Sequence, residues 1–527
     1  MTGAESVVQA LTAAGVRHLF ALSGNQNLPI FDACIGSGLR LIHTRHEAAA
    51  VHMADGWGRL TGEPGVALLT AGPGHCNGVT GLFVARAAES PLVMISGHSP
   101  HSQAGMGAFQ ELDQAAMAAP AAKWSHTADG SEPLADLVAR GLRTAVSGRP
   151  GPVHLSLPMD LLQAEEAAHP SSTAERVPEE EPRLSADDAA EILDHLQSAA
   201  RPLILAGPAM SRGGDWQAVQ ALQSASGVPA LPCESPRGVD DPWLRGASRC
   251  LAEADLVLLL GKKLDHSLRF GEPPAFSEAV RFLAVDAEEA LNPSRLDGSL
   301  RADPAEAAAT LTAAAAQRQW EDSPWGRQVR EARAEPPDWR AHRDSAASPI
   351  HPLALCERLQ PFLDRDGVFV CDGGEFGQWM QAGLSAGLRL INGPSGSIGS
   401  SLPMGMAAKV LHPERPVFVF QGDGTFGFHA LEIDTCLRYG LPVVVIVGND
   451  ARWNAEVQLQ IRQYGPDRTI GCDLLPTRYD RVAEALGGFG ERVEDPGGLA
   501  PAVERALASG LPAVVDVTID GLPAPVF

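Results

Sequence analysis

One stretch restricts the fold more than any other: Gln421 to Trp453, QGDGTFGFHALEIDTCLRYGLPVVVIVGNDARW. An apolar run, Pro416 to Phe420, delivers Gly422-Asp423-Gly424; a helix-like segment follows, and a second apolar run, Val443 to Val447, ends at Asn449-Asp450. In a parallel β-α-β unit the carboxyl ends of neighbouring strands lie on one edge of the sheet, where open α/β sheets bind ligands. Asp423 and Asp450, distant in sequence, can therefore meet. Their oxygens suit a hard divalent cation such as Mg²⁺, which is held by one or two carboxylates plus phosphates of a ligand. Gly422 and Gly424 let backbone N–H groups approach a diphosphate closely. Taken singly, the GDG segment reads as a tight turn and the ND pair as a strand-ending turn.

The chain of 527 residues is long enough for about three domains. With 45% hydrophobic and 20% charged residues it reads as soluble and globular. A net charge of −23 argues against nucleic acid or an anionic membrane surface as main partner. The start, MTGAESVVQALTAAGVRHLF, lacks the charged and apolar regions of a signal peptide, no apolar run is long enough to span a membrane, and a cytoplasmic location is expected. Eight scattered cysteines without CxxC spacing fit reduced thiols.

Helical segments and short apolar runs alternate along the chain, which predicts α/β architecture in three doubly wound, mainly parallel-sheet domains. In the first block, residues 1–165, the clearest strands are Val66 to Leu69, Leu92 to Ser96 and Val153 to Leu157. A Pro-, Ser- and Glu-rich connector, Pro170 to Arg183, leads to a second block, residues 185–320, with strands at Leu203 to Ala206, Leu256 to Leu260 and Phe282 to Val285. Trp320 to Ser348 reads as a second connector. The third block, residues 349–527, has strands at Val368 to Cys371, Val417 to Phe420, Val443 to Val447 and Ala513 to Val517.

The strand, GDG, helix, strand, ND pattern resembles the thiamine diphosphate enzymes, and the block order resembles their acetolactate synthase-like group, with pyrimidine-binding, central and diphosphate-binding domains. The resemblance covers essentially the whole chain and is densest from Phe20 to Gln110 and from Asp372 to Trp453. It implies thiamine diphosphate and Mg²⁺ as cofactors, with Asp423, Asp450 and the backbone carbonyl of Arg452 as metal ligands and Gly422, Gly424 and Thr425 beside the diphosphate. Asp450 departs from the Asn that the family usually carries there. TRHEAAAVHMADGWGRLTG (Thr44 to Gly62) resembles the family's glutamate motif, which makes Glu47 the carboxylate that hydrogen-bonds the cofactor's aminopyrimidine; alone, it would read as a charge at a helix start. GPSGSIGSSLPMGMAAK (Gly393 to Lys409) resembles the segment that holds the pyrimidine ring, with the Gly396 backbone against it and Ile398 under the bend of the cofactor. Gly373 and Gly374 follow a strand end and are expected at the diphosphate.

Substrate-side residues point in two directions. Asn25, in LSGNQNLP, stands where pyruvate decarboxylases carry an acidic proton-relay residue. His101 matches the first of a decarboxylase histidine pair whose second member is replaced by Ser102, whereas Ala108-Phe109-Gln110-Glu111 matches a substrate-channel segment of acetolactate synthases, which nominates Gln110. Glu456 falls at the position of a decarboxylase glutamate, or is a solvated helix charge. His75 either meets substrate or is a satisfied loop histidine. With the relay half present, protonation of a decarboxylated intermediate is disfavoured and ligation or lyase chemistry favoured. NDARW and GKKLDHSLRFG (Gly261 to Gly271) look like the 2-hydroxyacyl-CoA lyase branch, and no FAD signature or covering segment after the last strand is evident. The resemblance therefore implies a C–C lyase or carboligase acting on a 2-oxo acid; alternatives are a 2-hydroxyacyl-CoA lyase acting on an acyl-CoA, a non-oxidative 2-oxo acid decarboxylase, or a silent cofactor-binding paralogue. It also implies a homodimer or homotetramer in which Glu47 and Asp423 of one site come from different chains.

Overall fold

The computed structural model of the protein describes residues 1–165, 182–336 and 338–526, so nearly all of the Pro170 to Arg183 connector lies outside the described residues. Three separate sheets form, and every ladder in them is parallel. The first contains β1 (His18–Ala21), β2 (Arg40–His43), β3 (Gly65–Leu69), β4 (Leu92–His98), β5 (Trp124–Thr127) and β6 (Pro152–Pro158), in the order β2-β1-β3-β4-β6-β5. The second contains β7 (Pro202–Ala206), β8 (Ala230–Pro232), β9 (Leu256–Leu260), β10 (Arg281–Asp286) and β11 (Gly298–Arg301), in the order β11-β10-β9-β7-β8. The third contains β12 (Val368–Cys371), β13 (Leu388–Ile391), β14 (Val417–Gly422), β15 (Val443–Asn449), β16 (Phe489–Val493) and β17 (Ala513–Thr518), in the order β13-β12-β14-β15-β17-β16.

The outer sheets thus share one topology. In each, the chain reverses direction across the sheet after its second strand. That reversal opens a crevice between β1 and β3 in the first sheet and between β12 and β14 in the third, where α/β sheets take ligands. Every strand expected from its apolar run is present. The strands without a clear apolar signal are β1 and the six sheet edges, β2, β5, β8, β11, β13 and β16. A central strand is buried on both faces and must be apolar throughout, as VVVIVGN is in β15; an edge strand such as FGERV in β16 is relieved of that demand.

Trp320 to Ser348 is less of a bare connector than its composition suggests. Helix Pro324–Ala332 seats Trp325 and Val329 in the second block's core, and Trp339 packs in the third block's core. Large aromatic anchors compensate for the lack of periodic apolar residues.

The first and third sheets share one hydrophobic core. Helix Glu47–Thr61 lies on helix Ser401–Leu411 so closely that a Cβ on Gly56 would stand 3.0 Å from Met404 Cα. Arg59, ion-paired to buried Asp55, donates to the Ile391 carbonyl oxygen at 2.6 Å. Among the described residues no helix is long and apolar enough to cross a membrane.

Candidate cofactor cleft

A cleft of about 280 Å³ opens at the carboxyl edge of the third sheet. The loop after β12 supplies Gly373 and Gly374, and the loop after β13 supplies Gly396 and Ile398. β14 ends in Gly422, Asp423, Gly424 and Thr425, and β15 leads to Asp450, Arg452 and Glu456. Every third-block residue singled out from the sequence therefore lines one cavity.

β14 and β15 are neighbours, with Gly422 opposite Gly448, so Asp423 and Asp450 leave adjacent strands on the same edge. Asp423 is 2% exposed and its Oδ2 has no hydrogen-bond partner. Burial, and next the Asp450 charge, push the Asp423 carboxyl up to about 7. Burial pushes Asp450 up to about 6, against the lowering effect of the Arg452 N–H and guanidinium. A buried carboxylate with an unpaired oxygen beside a second, half-buried one forms a costly arrangement that a divalent cation would relieve. Among the described residues no group of three or more His, Cys, Asp or Glu gathers to hold a metal. A cation between these two carboxylates would thus draw its other ligands from backbone carbonyls and a bound phosphate, a donor set that fits Mg²⁺.

The surrounding chain shapes the cavity. Ala451 adopts φ 56 and donates its N–H to Asn449 Oδ1, Arg452 bridges to Asp473, and the Trp453 N–H reaches the Cys472 carbonyl at 2.7 Å, which fixes the course of the Arg452 backbone. The Trp453 ring packs on Gly424 and the Phe376 ring on Gly448; a Cβ on these glycines would lie 2.6 and 2.4 Å from the rings. Asn449 faces away, donating to the Thr477 carbonyl and to Asp516. Asp372, fully buried, accepts the N–H groups of Gly373, Gly399 and Ser401 and the Ser401 hydroxyl, so it pins the Gly393 to Ser401 segment against the end of β12. The segment after β17 also follows the cleft wall: Leu522 O accepts from Asn454 Nδ2 and the Ala524 N–H donates to Glu375, contacts that no motif announces.

Glu47, Asn25, His101 and Gln110 do not line this cleft; they follow strands of the first sheet, at its own carboxyl edge. Glu47 opens helix Glu47–Thr61, capped by His46, and its Oε2 accepts from Asn77 Nδ2 at 3.0 Å. Gln110, at φ 60, packs on the turn at Gly72, and the N–H of Gly72 is held by Gln114. Asn25 is exposed beside a groove with Leu28 and Asp32, and the backbone N–H groups of His101 and Ser102 are fastened to Asp160. His75 is fully buried on helix Pro73–Ala87, its ring 4.6 Å from that of His154 and its Nδ1 at Ser96 Oγ, so it is a core histidine.

Two further residues bear on these sites. Glu432, 1% exposed in the third block, accepts the N–H groups of Arg45 and His46 and so anchors the approach to Glu47. Arg237, from the central block, lines the cleft and pairs with Glu375. Arg237 lies in no motif and Glu432 was passed over within the Gln421 to Trp453 stretch, because each acts on a segment more than a hundred residues away.

Residues 1–117 match a family model described as thiamine pyrophosphate enzyme, N-terminal TPP binding domain, and residues 372–517 match its C-terminal TPP binding domain. The chain is 36% identical over 528 residues to the acetolactate synthase large subunit IlvG of Mycobacterium tuberculosis, an alignment covering 98% of this chain and 95% of that protein. The chain belongs to the thiamine pyrophosphate enzymes. Others of these enzymes similar to it are a 2-hydroxyacyl-CoA lyase of Oryza sativa, 31% identical with 97% and 94% of the two chains covered, and 2-hydroxyacyl-CoA lyase 2 of Caenorhabditis elegans, 29% identical with 94% and 84% covered. As a thiamine pyrophosphate enzyme of the acetolactate synthase-like group, the protein carries Glu47 in its N-terminal TPP-binding match and Asp423 and Asp450 in its C-terminal one.

Proposed function

We propose that the protein is a Mg²⁺- and thiamine diphosphate-dependent C–C lyase or carboligase acting on a 2-oxo acid. The observation that carries this reading is the meeting of Asp423 and Asp450 in a glycine-lined cleft, within a chain whose two end domains match TPP-binding domains. Thiamine diphosphate, when bound, supplies a nucleophilic thiazolium carbon that adds to a carbonyl and takes up the electron pair of the cleaved C–C bond. Asp423, Asp450 and the Arg452 carbonyl hold the cation, and Gly373, Gly374, Gly422, Gly424 and Thr425 border the diphosphate. Gly396 and Ile398 support the pyrimidine ring. Glu47, oriented by Asn77, holds a proton between its carboxylate and the aminopyrimidine nitrogen. Because Glu47 is not among the residues lining the cleft of its own chain, the complete site is read as formed between two protomers, in at least a homodimer.

On the substrate side, Asn25 and Ser102 provide no strong acid, which favours ligation or cleavage over aldehyde release. His101 and Gln110 remain candidates at the first sheet's edge, and Glu456, exposed on helix Asn454–Tyr464 while lining the cleft, is a candidate proton carrier. Incubation with pyruvate, thiamine diphosphate and Mg²⁺ should give acetolactate in preference to acetaldehyde; acetaldehyde alone would overturn the carboligase reading. Glu456→Gln should slow aldehyde release more than ligation, and equal losses would remove Glu456 from proton transfer.

A second reading, a 2-hydroxyacyl-CoA lyase, draws on the similarity to the Oryza sativa and Caenorhabditis elegans lyases across nearly the whole chain. Formation of a 2-hydroxyacyl-CoA from formyl-CoA and an aldehyde, with pyruvate inert, would replace the first reading by the second.

A further inference from the structure

Two residues lining the cleft come from outside the third sheet: Pro236 and Arg237, on the loop that follows β8 of the central block. The loop is locked in place. Gly238 adopts φ 55 and lies so close to Ser267 that a Cβ would stand 1.9 Å from the Ser267 carbonyl oxygen, and the Gly238 N–H closes a turn onto the Ser235 carbonyl at 3.1 Å. The Arg237 N–H is held by Ser235 Oγ at 3.2 Å. At the tip, Pro236 faces Gly396, where a Cβ would be 3.8 Å from the proline ring.

The Arg237 guanidinium donates through Nη2 to Glu375 Oε1 at 2.9 Å. Glu375 is engaged on both oxygens and held in place, because its Oε2 accepts the Ala524 N–H and its side chain is 1% exposed. Arg237 does have spare capacity: 26% of its side chain is exposed, and a single guanidinium nitrogen is engaged. The cleft sets four carboxylates, Glu375, Asp423, Asp450 and Glu456, against two guanidiniums, Arg237 and Arg452, and Arg452 leans 3.6 Å from Asp473. A diphosphate is repelled by such a lining. A cation between Asp423 and Asp450 compensates one end of it, and the Gly373 and Gly374 end needs a second positive group. A planar guanidinium, whose fork matches phosphate oxygens bidentately, is suited to that task.

We infer that Arg237 is a diphosphate-binding residue contributed by the central domain, turning its free edge from Glu375 toward a diphosphate bordered by Gly373 and Gly374. This rests on the reading of the cleft as the thiamine diphosphate site. The recognised chemistry is a diphosphate ester, which the cofactor carries and which coenzyme A also carries, so the test separates the two. By this contact a filled cleft also clamps the central domain onto the third.

The test titrates cofactor-depleted, full-length protein in fixed Mg²⁺ with thiamine diphosphate, unphosphorylated thiamine and coenzyme A, followed by calorimetry. Arg237→Gln should raise the Kd for thiamine diphosphate about tenfold or more, the scale of losing a charge-assisted phosphate contact, while Arg237→Lys recovers part of it. Thiamine binding should be unchanged. Glu375→Gln, which frees the guanidinium, should bind thiamine diphosphate no more weakly than wild type. Equal weakening by Arg237→Gln and Glu375→Gln would reduce Arg237 to a structural tie and overturn the inference, as would unchanged affinity in Arg237→Gln. A loss confined to coenzyme A would keep the diphosphate chemistry and move it to the acyl-CoA. If wild type itself fails to bind thiamine diphosphate, the reading of the cleft falls and the inference with it; if wild type binds and Arg237→Gln matches it for both thiamine diphosphate and coenzyme A, the inference alone falls.

Discussion

Asp423 and Asp450 leave the ends of adjacent parallel strands, two residues of which, Gly422 and Gly448, stand directly opposite, and each carboxyl is held above the ordinary carboxylate range, at about 7 and about 6. Their ordinary value is 3.8, so between pH 4 and pH 7 the folded chain binds more protons here than the unfolded chain. Stability from this pair is therefore lost as pH rises through that window, and a divalent cation restores it. Mg²⁺ without cofactor should raise the thermal midpoint clearly near pH 8 and little near pH 5, and Asp423→Asn should abolish the Mg²⁺ effect while stabilising the metal-free protein by about 1 kcal/mol near pH 8. Differential scanning fluorimetry across pH reads both; an Mg²⁺ shift independent of pH would contradict the pairing.

Glu47→Gln keeps the hydrogen bond available from Asn77 but removes the proton-holding carboxylate. Turnover should fall about 10²- to 10⁴-fold with thiamine diphosphate affinity nearly unchanged. Solvent exchange of the thiazolium C2 proton, followed by NMR, should slow in parallel, and exchange at the wild-type rate would dismiss Glu47.

Glu432 receives the N–H groups of Arg45 and His46 from another domain. Glu432→Ala removes the acceptor from two donors on exposed residues and should cost about 1–2 kcal/mol in urea unfolding, with Glu432→Gln losing less. Activity should fall with the alanine variant even at temperatures where it remains folded, because the turn that aims Glu47 is no longer tied down.

Gly448 has the Phe376 ring where a Cβ would go, 2.4 Å away. Gly448→Ala should displace that ring into the cleft, cost about 1–3 kcal/mol in stability and weaken thiamine diphosphate binding by more than that loss explains. Calorimetric titration alongside thermal unfolding separates the two effects.

His75 is held down at about 4 by burial and the nearby His98 charge, and His429 at about 4 by burial. Both folded values lie below the ordinary 6.5, so the stability of keeping these rings neutral is fully present above pH 6.5 and is lost as pH falls toward 4. Each contributes about 3 kcal/mol of acid sensitivity. His75→Asn should flatten the stability profile between pH 4 and 6.5; an unchanged slope would remove His75 from the acid response.

The α/β class, the strands buried on both faces and the third-block residues that line the cleft were legible in the sequence, because each is a local event: an apolar run, or a GDG or ND pair at a strand end. Edge strands such as GSLR in β11 were not, since partial exposure leaves their composition mixed. Asp372, next to the Gly373-Gly374 pair expected at the diphosphate, was not singled out, although the N–H groups of Gly373, Gly399 and Ser401 and the Ser401 hydroxyl make it the pin of the Gly393 to Ser401 segment.

By itself, then, the sequence determined that strand ends bearing Gly422 to Thr425 and Asp450 exist and what ligand chemistry they suit, because strand and turn formation depend on neighbours in the chain. Only the tertiary structure decided that Gly373, Gly396 and Asp450 open on one cavity, that Arg237 reaches it from another domain, that Glu432 braces the start of the Glu47 helix, and that Glu47 lies outside the cleft of its own chain. Those relations follow from the packing of whole sheets and helices against one another, such as Gly56 against Met404, and no span of contiguous residues encodes them.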